Sequence, residues 1–330
     1  MGAINSFLFD IINGINSFIG NYGWSIVVFT IIIKVILLPL DLKSRKSMRR
    51  MSDLQPQISK LQKKYANDKE KLNQKTAELY RKEHISPLSG CLPMLLSFPV
   101  LIAMFGAMRM VANTELAKQT IDLVVYGSQT NQGWLWVKNL WMPDSPFATI
   151  VAQSKDLQQI PIDIWVKVIQ ALPADAQQFI GNLGVTVNTV TTDTYKIFIE
   201  QLSASEAYMQ QLQLWSAMPE INLLLFKLQI FASSNGFFIT PVLAAVTQYL
   251  MTITQPQTPT TNANGKGTGQ FMKYFFPLFS LYICSTYNAG FSIYWVTSNL
   301  IAWLQGIIIN QTYARKPLND TAIVQEDGLK

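Results

Sequence analysis

One histidine, His84, and two cysteines, Cys91 and Cys284, which share no CxxC spacing, are the whole stock of imidazole and thiol in the chain. This removes His-based triads, metal triads and HExxH chemistry, and it leaves a zinc site or a disulfide framework unsupported. No catalytic residue, cofactor site or metal site is predicted, and the chain does not read as an enzyme. The residue whose position asks for a chemical explanation is Lys34. It stands in TIIIKVILLPL, inside an apolar stretch running from Tyr22 to Leu42. A lysine near the middle of a bilayer-spanning helix costs about 2.5 to 3.5 kcal/mol. About 10 Å of helix separates Lys34 from the inner end of that stretch, a long reach for a snorkelling stem. Asp41 sits at the inner edge, and no carboxylate lies within the apolar stretches, so Lys34 has no ion-pair partner at its own depth. An unpaired cation facing a water-filled or polar cavity is the favoured reading. The amides of Gln248 and Asn299, in two later apolar stretches, would be satisfied by lining the same cavity. Trp295, in the pair Tyr294-Trp295, lies about one turn deeper than the usual interfacial belt of tryptophans. It reads either as simple packing or as a residue at the cavity mouth.

The elements that must position these groups are set out by composition. Of 330 residues, 49% are hydrophobic and only 14% charged, far from the roughly 25% charged of soluble chains. The apolar residues are gathered into blocks, and the fold class predicted is all-α: a polytopic membrane protein with five transmembrane helices. The spans are placed at 22–42, 87–108, 237–254, 271–287 and 291–309, the last two joined by a tight turn at Asn288-Ala289-Gly290. Lys43 to Ser86 holds 13 basic against 5 acidic residues, whereas Arg109 to Gly236 holds 7 against 10. Basic residues near span ends stay in the cytosol. Hence 43–86 is expected to be a basic cytosolic helical hairpin, with the N-terminus and 109–236 outside, and the tail 310–330 inside.

Residues 1–21 have the helical spacing of an interfacial amphipathic segment, and neither a basic n-region nor a cleavage site is present. The match of MGAINS to a myristoylation pattern is treated as chance. In the outer region, residues 153–232 read as a helical insertion, with helices expected at 156–171, 173–182 and 194–215. The linker 255–270 is rich in Pro, Thr, Asn and Gly, and its GKGTG lacks the spacing that cradles a phosphate. Proton-coupled transport is disfavoured, because titrating acids and an internal repeat are both missing.

The strings TIIIKVILLPL, DLQPQISKLQKKYANDKEKL, AELYRKEHISPLSGCLPMLLSFPVLIAMF, YFFPLF and AGFSIYWVTSNLIAWLQ, in this order, resemble the YidC-type membrane protein insertases. The resemblance covers all five expected spans and the hairpin. It implies spans enclosing a polar groove open to the cytosol and to lipid but closed toward the outside, through which hydrophilic segments of nascent membrane proteins partition. Lys34 falls where the family usually carries an arginine; Gln248, Tyr294 and Trp295 match groove-lining positions, and Asn299 joins them as a further polar residue. Lysine keeps the charge but loses the guanidinium fork. Implied partners are nascent membrane proteins, the lipid bilayer, and as candidates the Sec translocon and the ribosome, with no nucleic acid. The implied location is the bacterial plasma membrane. Two other classes stay open: a channel or anion transporter using Lys34, and an envelope assembly factor acting through the outer insertion.

Overall fold

The computed structural model describes residues 2–83, 92–128, 130–183, 192–213, 220–223, 226–229, 233–255 and 268–312. His84 and Cys91, the linker 256–267 and the tail from 313 lie outside the described residues. Among the described residues the regular structure is helical apart from one pair of short strands. Helix α1 (Gly2–Ile19) precedes α2 (Tyr22–Asp53), α3 (Gln55–Lys64), α4 (Lys69–Lys82) and α5 (Leu92–Tyr126). The region between α5 and the last three helices holds α6 (Ser154–Leu157), α7 (Ile162–Gln170), α8 (Ala174–Asn182), α9 (Thr192–Ala204) and α10 (Glu206–Gln213), then the strands β1 (Glu220–Leu223) and β2 (Phe226–Gln229). Three helices complete the chain: α11 (Ile239–Thr254), α12 (Thr268–Thr286) and α13 (Ala289–Thr312).

The all-α expectation holds for the chain as a whole; the antiparallel pair, in which Glu220 faces Gln229 and Leu223 faces Phe226, is a short local departure between α10 and α11. Its residues alternate, with Ile221 and Leu223 in one strand and Phe226 and Leu228 in the other, which is the period of a strand and not of a helix. The helix expected over 156–171 is likewise divided. Pro161 has no N–H to donate and disfavours helical geometry at Ile160, so α6 ends early and α7 starts after the proline.

Among the described residues three helical stretches are long and apolar enough to cross a membrane: Tyr22–Lys64, Pro99–Tyr126 and Ala289–Thr312. Helix α11 is apolar but shorter, with 16 residues. The first stretch starts where Asn21 accepts the Trp24 N–H at 3.2 Å, an ordinary N-cap. Ile31, Ile32, Val35, Ile36 and Leu40 of α2 are exposed, as are Val242, Val246, Leu278, Tyr282, Leu304 and Ile308 of the last three helices. A contiguous apolar exterior of this kind is a liability in water and the ordinary condition of a helix facing lipid. Helix α11 packs on both α12 and α13, α13 also runs along α2, and α1 lies against α2 and α5.

Beyond residue 108 helix α5 continues unbroken to Tyr126. Its Val111, Leu116, Ala117, Ile121 and Val124 are buried in one core with Trp165, Ile169, Phe198, Ile199 and Tyr208 of the insertion. Tyr208 donates to the Ala152 carbonyl at 2.5 Å, and Tyr195 to those of Leu157 and Ile160 at 2.8 and 2.6 Å. The insertion is thereby built onto α5. By contrast, the end of α2 with α3 and α4 forms a small core of its own from Met51, Leu54, Ile58, Leu61, Leu79 and Tyr80. The turn between α3 and α4 is closed by Asp68, which accepts the Lys71 N–H at 2.9 Å.

The end of the bundle where α11 and α13 begin is tied by buried polar side chains. Asp144 is fully buried and accepts four N–H groups: Trp136 Nε1 at 2.9 Å, and the backbone of Phe237, Phe238 and Thr240 at 2.9, 3.2 and 2.7 Å. Phe238 takes a left-handed backbone (φ 66°) at the N-cap of α11, so a distant carboxylate caps this helix where its own residue cannot. A Cβ at Gly236 would overlap that carboxylate, which is why this position has no side chain. Asn235 completes the tie, donating through Nδ2 to the Asn139, Met142 and Pro143 carbonyls and accepting the Asn139 N–H at 2.7 Å. We expect Asp144→Ala, which orphans four buried donors, to destabilise the fold by about 3 to 5 kcal/mol. Thermal unfolding in detergent measures this, and a change below about 1 kcal/mol would show that water replaces the carboxylate at no cost.

Candidate functional site

Lys34, Gln248, Tyr294, Trp295 and Asn299 lie on α2, α11 and α13, the helices whose packing forms the middle of the bundle. Lys34 is half-buried, flanked by the exposed apolar residues Ile31, Ile32, Val35 and Ile36. Among the described residues no hydrogen bond or salt bridge engages its ammonium group, and the charges acting on it are Asp41 and Arg45. These stand seven and eleven positions further along α2, two and three turns away on the same face. Lys34, Asp41 and Arg45 therefore form a stripe leading from the middle of the apolar stretch to its end.

Gln248 and Asn299 are both buried, each with 6% of its surface exposed. Asn299 reaches across from α13 to α11, donating through Nδ2 to Thr247 Oγ1 at 3.4 Å. Thr247 satisfies itself on the Leu243 carbonyl at 2.7 Å. The Gln248 side-chain amide meets no protein partner among the described residues. Two amides and a hydroxyl are thus buried on α11 and α13 with hydrogen-bonding capacity to spare, and the Asn299–Thr247 contact crosses between these helices.

Tyr294 and Trp295, adjacent in sequence, part company in space. Tyr294 is buried in the main core. Trp295 packs on Phe291, with ring centroids 5.5 Å apart, and donates Nε1 to Ser280 Oγ of α12 at 3.1 Å. Trp295 thus ties α13 to α12 and Asn299 ties α13 to α11. No direct contact joins Lys34 to the other four residues.

At the end of the bundle where α13 begins, the helices and the segment around Trp141 are tightly packed. The N–H groups of Ala289 and Gly290 donate to the Met142 and Leu140 carbonyls at 3.0 and 2.9 Å, and Asn288 caps α13 through the Phe291 N–H at 2.9 Å. Ile26, Phe29, Trp141 and Phe291 are buried there. A Cβ on Gly290 would come within 3.2 Å of both Ile26 and Trp141, so α13 approaches α2 closely only because this residue is glycine. Glu115 adds a buried carboxylate beside this seal, accepting from Gln132 Nε2 at 2.7 Å and Lys118 Nζ at 2.9 Å.

The opposite end is polar and incompletely satisfied. Ser44 Oγ, Arg45 Nη1 and Gln305 Oε1 are buried without a partner. Arg49 Nη1 donates to Asn310 Oδ1 at 2.6 Å, and Asn310 Nδ2 donates to the Thr254 carbonyl at the end of α11 at 2.9 Å. Sequence reasoning missed Arg45 and Arg49 by counting them among the basic residues of the hairpin. Their spacing from Lys34 along a single helix was the available signal. Among the described residues there is no group of three or more His, Cys, Asp or Glu side chains able to hold a metal ion. Cys284 is a buried free thiol.

The chain matches the family model described as 60Kd inner membrane protein over residues 14–178 and 157–316. Several curated relatives carry the name membrane protein insertase YidC. That of Fusobacterium nucleatum is 51% identical over 106 residues, which is 32% of this chain and 52% of the relative. That of Leptospira interrogans serovar Lai is 41% identical over 126 residues, 38% of this chain and 18% of the relative. That of Bordetella avium is 32% identical over 214 residues, 62% of this chain and 35% of the relative. The matched part spans about half the length of the first of these relatives and less of the other two. With its family model matched over two overlapping ranges that together run from residue 14 to residue 316, through all the helices that carry the polar interior residues, the chain belongs to the 60Kd inner membrane protein family.

Proposed function

We propose that this protein is a membrane protein insertase that works without covalent chemistry, by offering hydrophilic segments of nascent membrane proteins a polar, positively charged path part-way through the bilayer. The observation that carries the reading is Lys34: a cation in the middle of the most apolar helix, with no hydrogen-bond or ion-pair partner among the described residues. Family membership and the relatives named as insertases support it.

In this reading α2, the apolar part of α5, α11, α12 and α13 are five spans of an inner-membrane protein. The N-terminus and the insertion lie outside, and the α3–α4 hairpin and the tail lie in the cytosol. Lys34, Gln248, Tyr294, Trp295 and Asn299 line a groove reached from the cytosol and from lipid. The tie around Asp144 and the packing at Gly290 keep its outer end closed. The hairpin, with a core of its own, meets the substrate first. Nascent membrane proteins are the substrates, and the Sec translocon and the ribosome are candidate partners.

The energetics favour such a path. A carboxylate carried unaided into hydrocarbon meets a large desolvation penalty. Near Lys34 it meets an opposite charge worth about 4 kcal/mol at contact distance for an effective dielectric constant of about 20. Amides at Gln248 and Asn299 supply neutral hydrogen-bonding groups at the same interface, so the one large barrier becomes several smaller ones.

Two outcomes follow for purified protein in proteoliposomes. Lys34→Ala should lower the insertion of substrates with acidic translocated segments by about five- to tenfold, and Lys34→Arg should stay within about twofold of the parent. Equal insertion by the alanine variant would sink the charge mechanism, and substrate-independent anion flux through the parent would favour a channel. Replacing Gln248 and Asn299 together by leucine should leave the unfolding temperature unchanged or raised, since two under-satisfied buried amides give way to apolar side chains. Insertion of polar segments should fall all the same. A fall in both quantities would mark these amides as structural.

A further inference from the structure

At the end of α2 that faces away from the Asp144 tie, two guanidinium groups are fixed side by side with no carboxylate in salt-bridge contact, among the described residues. Arg45 lies three residues beyond Leu42, where the apolar stretch ends, and Arg49 lies one turn further on the same face. Each is held by the neighbouring helices. Arg45 reaches the niche at Gly306 of α13, where a Cβ would be 2.9 Å from Thr254 Oγ1 and 3.6 Å from Arg45 Nη1. That nitrogen is sealed from solvent and unpartnered, while the residue as a whole is only half-buried. Arg49 is anchored by Asn310, which is itself fixed on the last carbonyl of α11.

Like charges one turn apart on a helix repel. Asp41, one turn before Arg45, offsets part of this charge from its own helix, but two guanidinium forks, one of them anchored on Asn310, still stand at the depth where an apolar helix surface gives way to a polar one. Arginine forks match phosphate oxygens with paired hydrogen bonds. The exposed apolar residues Val35 and Leu42 lie within about 80° of Arg45 around the same helix and place acyl chains beside the pair.

We propose that Arg45 and Arg49 form a binding site for the phosphate of an anionic membrane lipid, set at the junction of α2, α11 and α13. The site is separate from the interior residues, and it requires only that α2 crosses the bilayer, so it stands or falls independently of the insertion reading. A bound lipid would pin the ends of α11 and α13 to α2 at the point where the hairpin departs.

The test uses the full chain in detergent, titrated with phosphatidylglycerol or phosphatidylcholine and followed by the shift in unfolding temperature. Half-saturation by phosphatidylglycerol should come at about tenfold lower concentration than by phosphatidylcholine. Arg45→Gln with Arg49→Gln should abolish that difference, and Arg45→Lys should weaken it in part. Arg50→Gln removes the same charge about 140° around the helix from Arg45 and about 100° from Arg49, and should leave the difference intact. The lipid-free double variant loses the Arg49–Asn310 bond but also a repulsion and an unpartnered buried N–H, so it should unfold within a few degrees of the parent. If it fails to fold, the Arg45→Lys titration decides. Equal weakening by Arg50→Gln would reduce the effect to diffuse positive charge. Inorganic phosphate reproducing the stabilisation would make the ligand a free anion. Either result overturns the assignment.

Discussion

A lysine ammonium in the middle of an apolar helix cannot be left to the hydrocarbon, and the arrangement of the other helices follows from that constraint. The cost of about 2.5 to 3.5 kcal/mol is modest beside the stability of a whole bundle, but it recurs in every molecule and has no local remedy. Asp41 and Arg45, the charges acting on it, stand two and three turns along α2, too far for a salt bridge. The solvation of Lys34 must therefore come from outside its own helix. Helices α11 and α13, packed in the same bundle, carry buried polar groups of their own in Gln248, Thr247 and Asn299; Asn299 reaches Thr247 across that interface, and no hydrogen bond or salt bridge among the described residues joins any of them to Lys34. A core built for stability alone would have used leucine at these positions, since a half-satisfied polar network is weaker than an apolar one.

Such an interior is tolerable because rigidity is concentrated elsewhere. The four donors on Asp144, the three carbonyls on Asn235 and the tight passage at Gly290 all lie at the end of the bundle where α11 and α13 begin. There long-range hydrogen bonds converge and glycines admit close backbone approach, although Trp134 Nε1, Thr240 Oγ1 and the Tyr287 hydroxyl are buried without a partner. On the opposite side Ser44, Arg45 and Gln305 also retain buried atoms with no partner. The molecule therefore has one end tied by long-range hydrogen bonds and another held by fewer of them, and any opening of the interior is easiest where fewest bonds must break.

The apolar blocks around Lys34 were legible because a bilayer demands contiguous hydrophobic residues, and the break between α3 and α4 because Asp68 is an ordinary helix-starting residue. The continuation of α5 past 108 was not. Its buried Val111, Leu116, Ile121 and Val124 alternate with Thr114, Glu115, Lys118 and Gln119, a pattern that fits neither a lipid-facing nor a solvated helix until the insertion is packed against it. The tie at the outer end was hidden for a related reason. Asn139 and Asn235 are 96 residues apart, and Asp144 caps a helix that begins 95 residues later, so no local spacing announces either. The strand pair was written plainly in the alternation of 220–229, but its residues sit inside a region whose remaining pattern is helical.

The packing of the insertion on α5 changes what that region can be. A domain joined by linkers could act on an external partner while leaving the spans undisturbed. Here Trp165, Phe198 and Tyr208 share one core with Ala103, Met104 and Met108 of α5, and that core continues to Ile26 and Phe291 beside the outer seal. Removing the insertion would strip cover from the outer half of α5 and expose Leu116, Ile121 and Val124. Displacing α5 would in turn disturb Glu115 and its contacts to the segment that holds Trp141. The insertion is thus mechanically continuous with the closed end of the bundle, and a force or ligand acting on it would reach the seal before it reached Lys34.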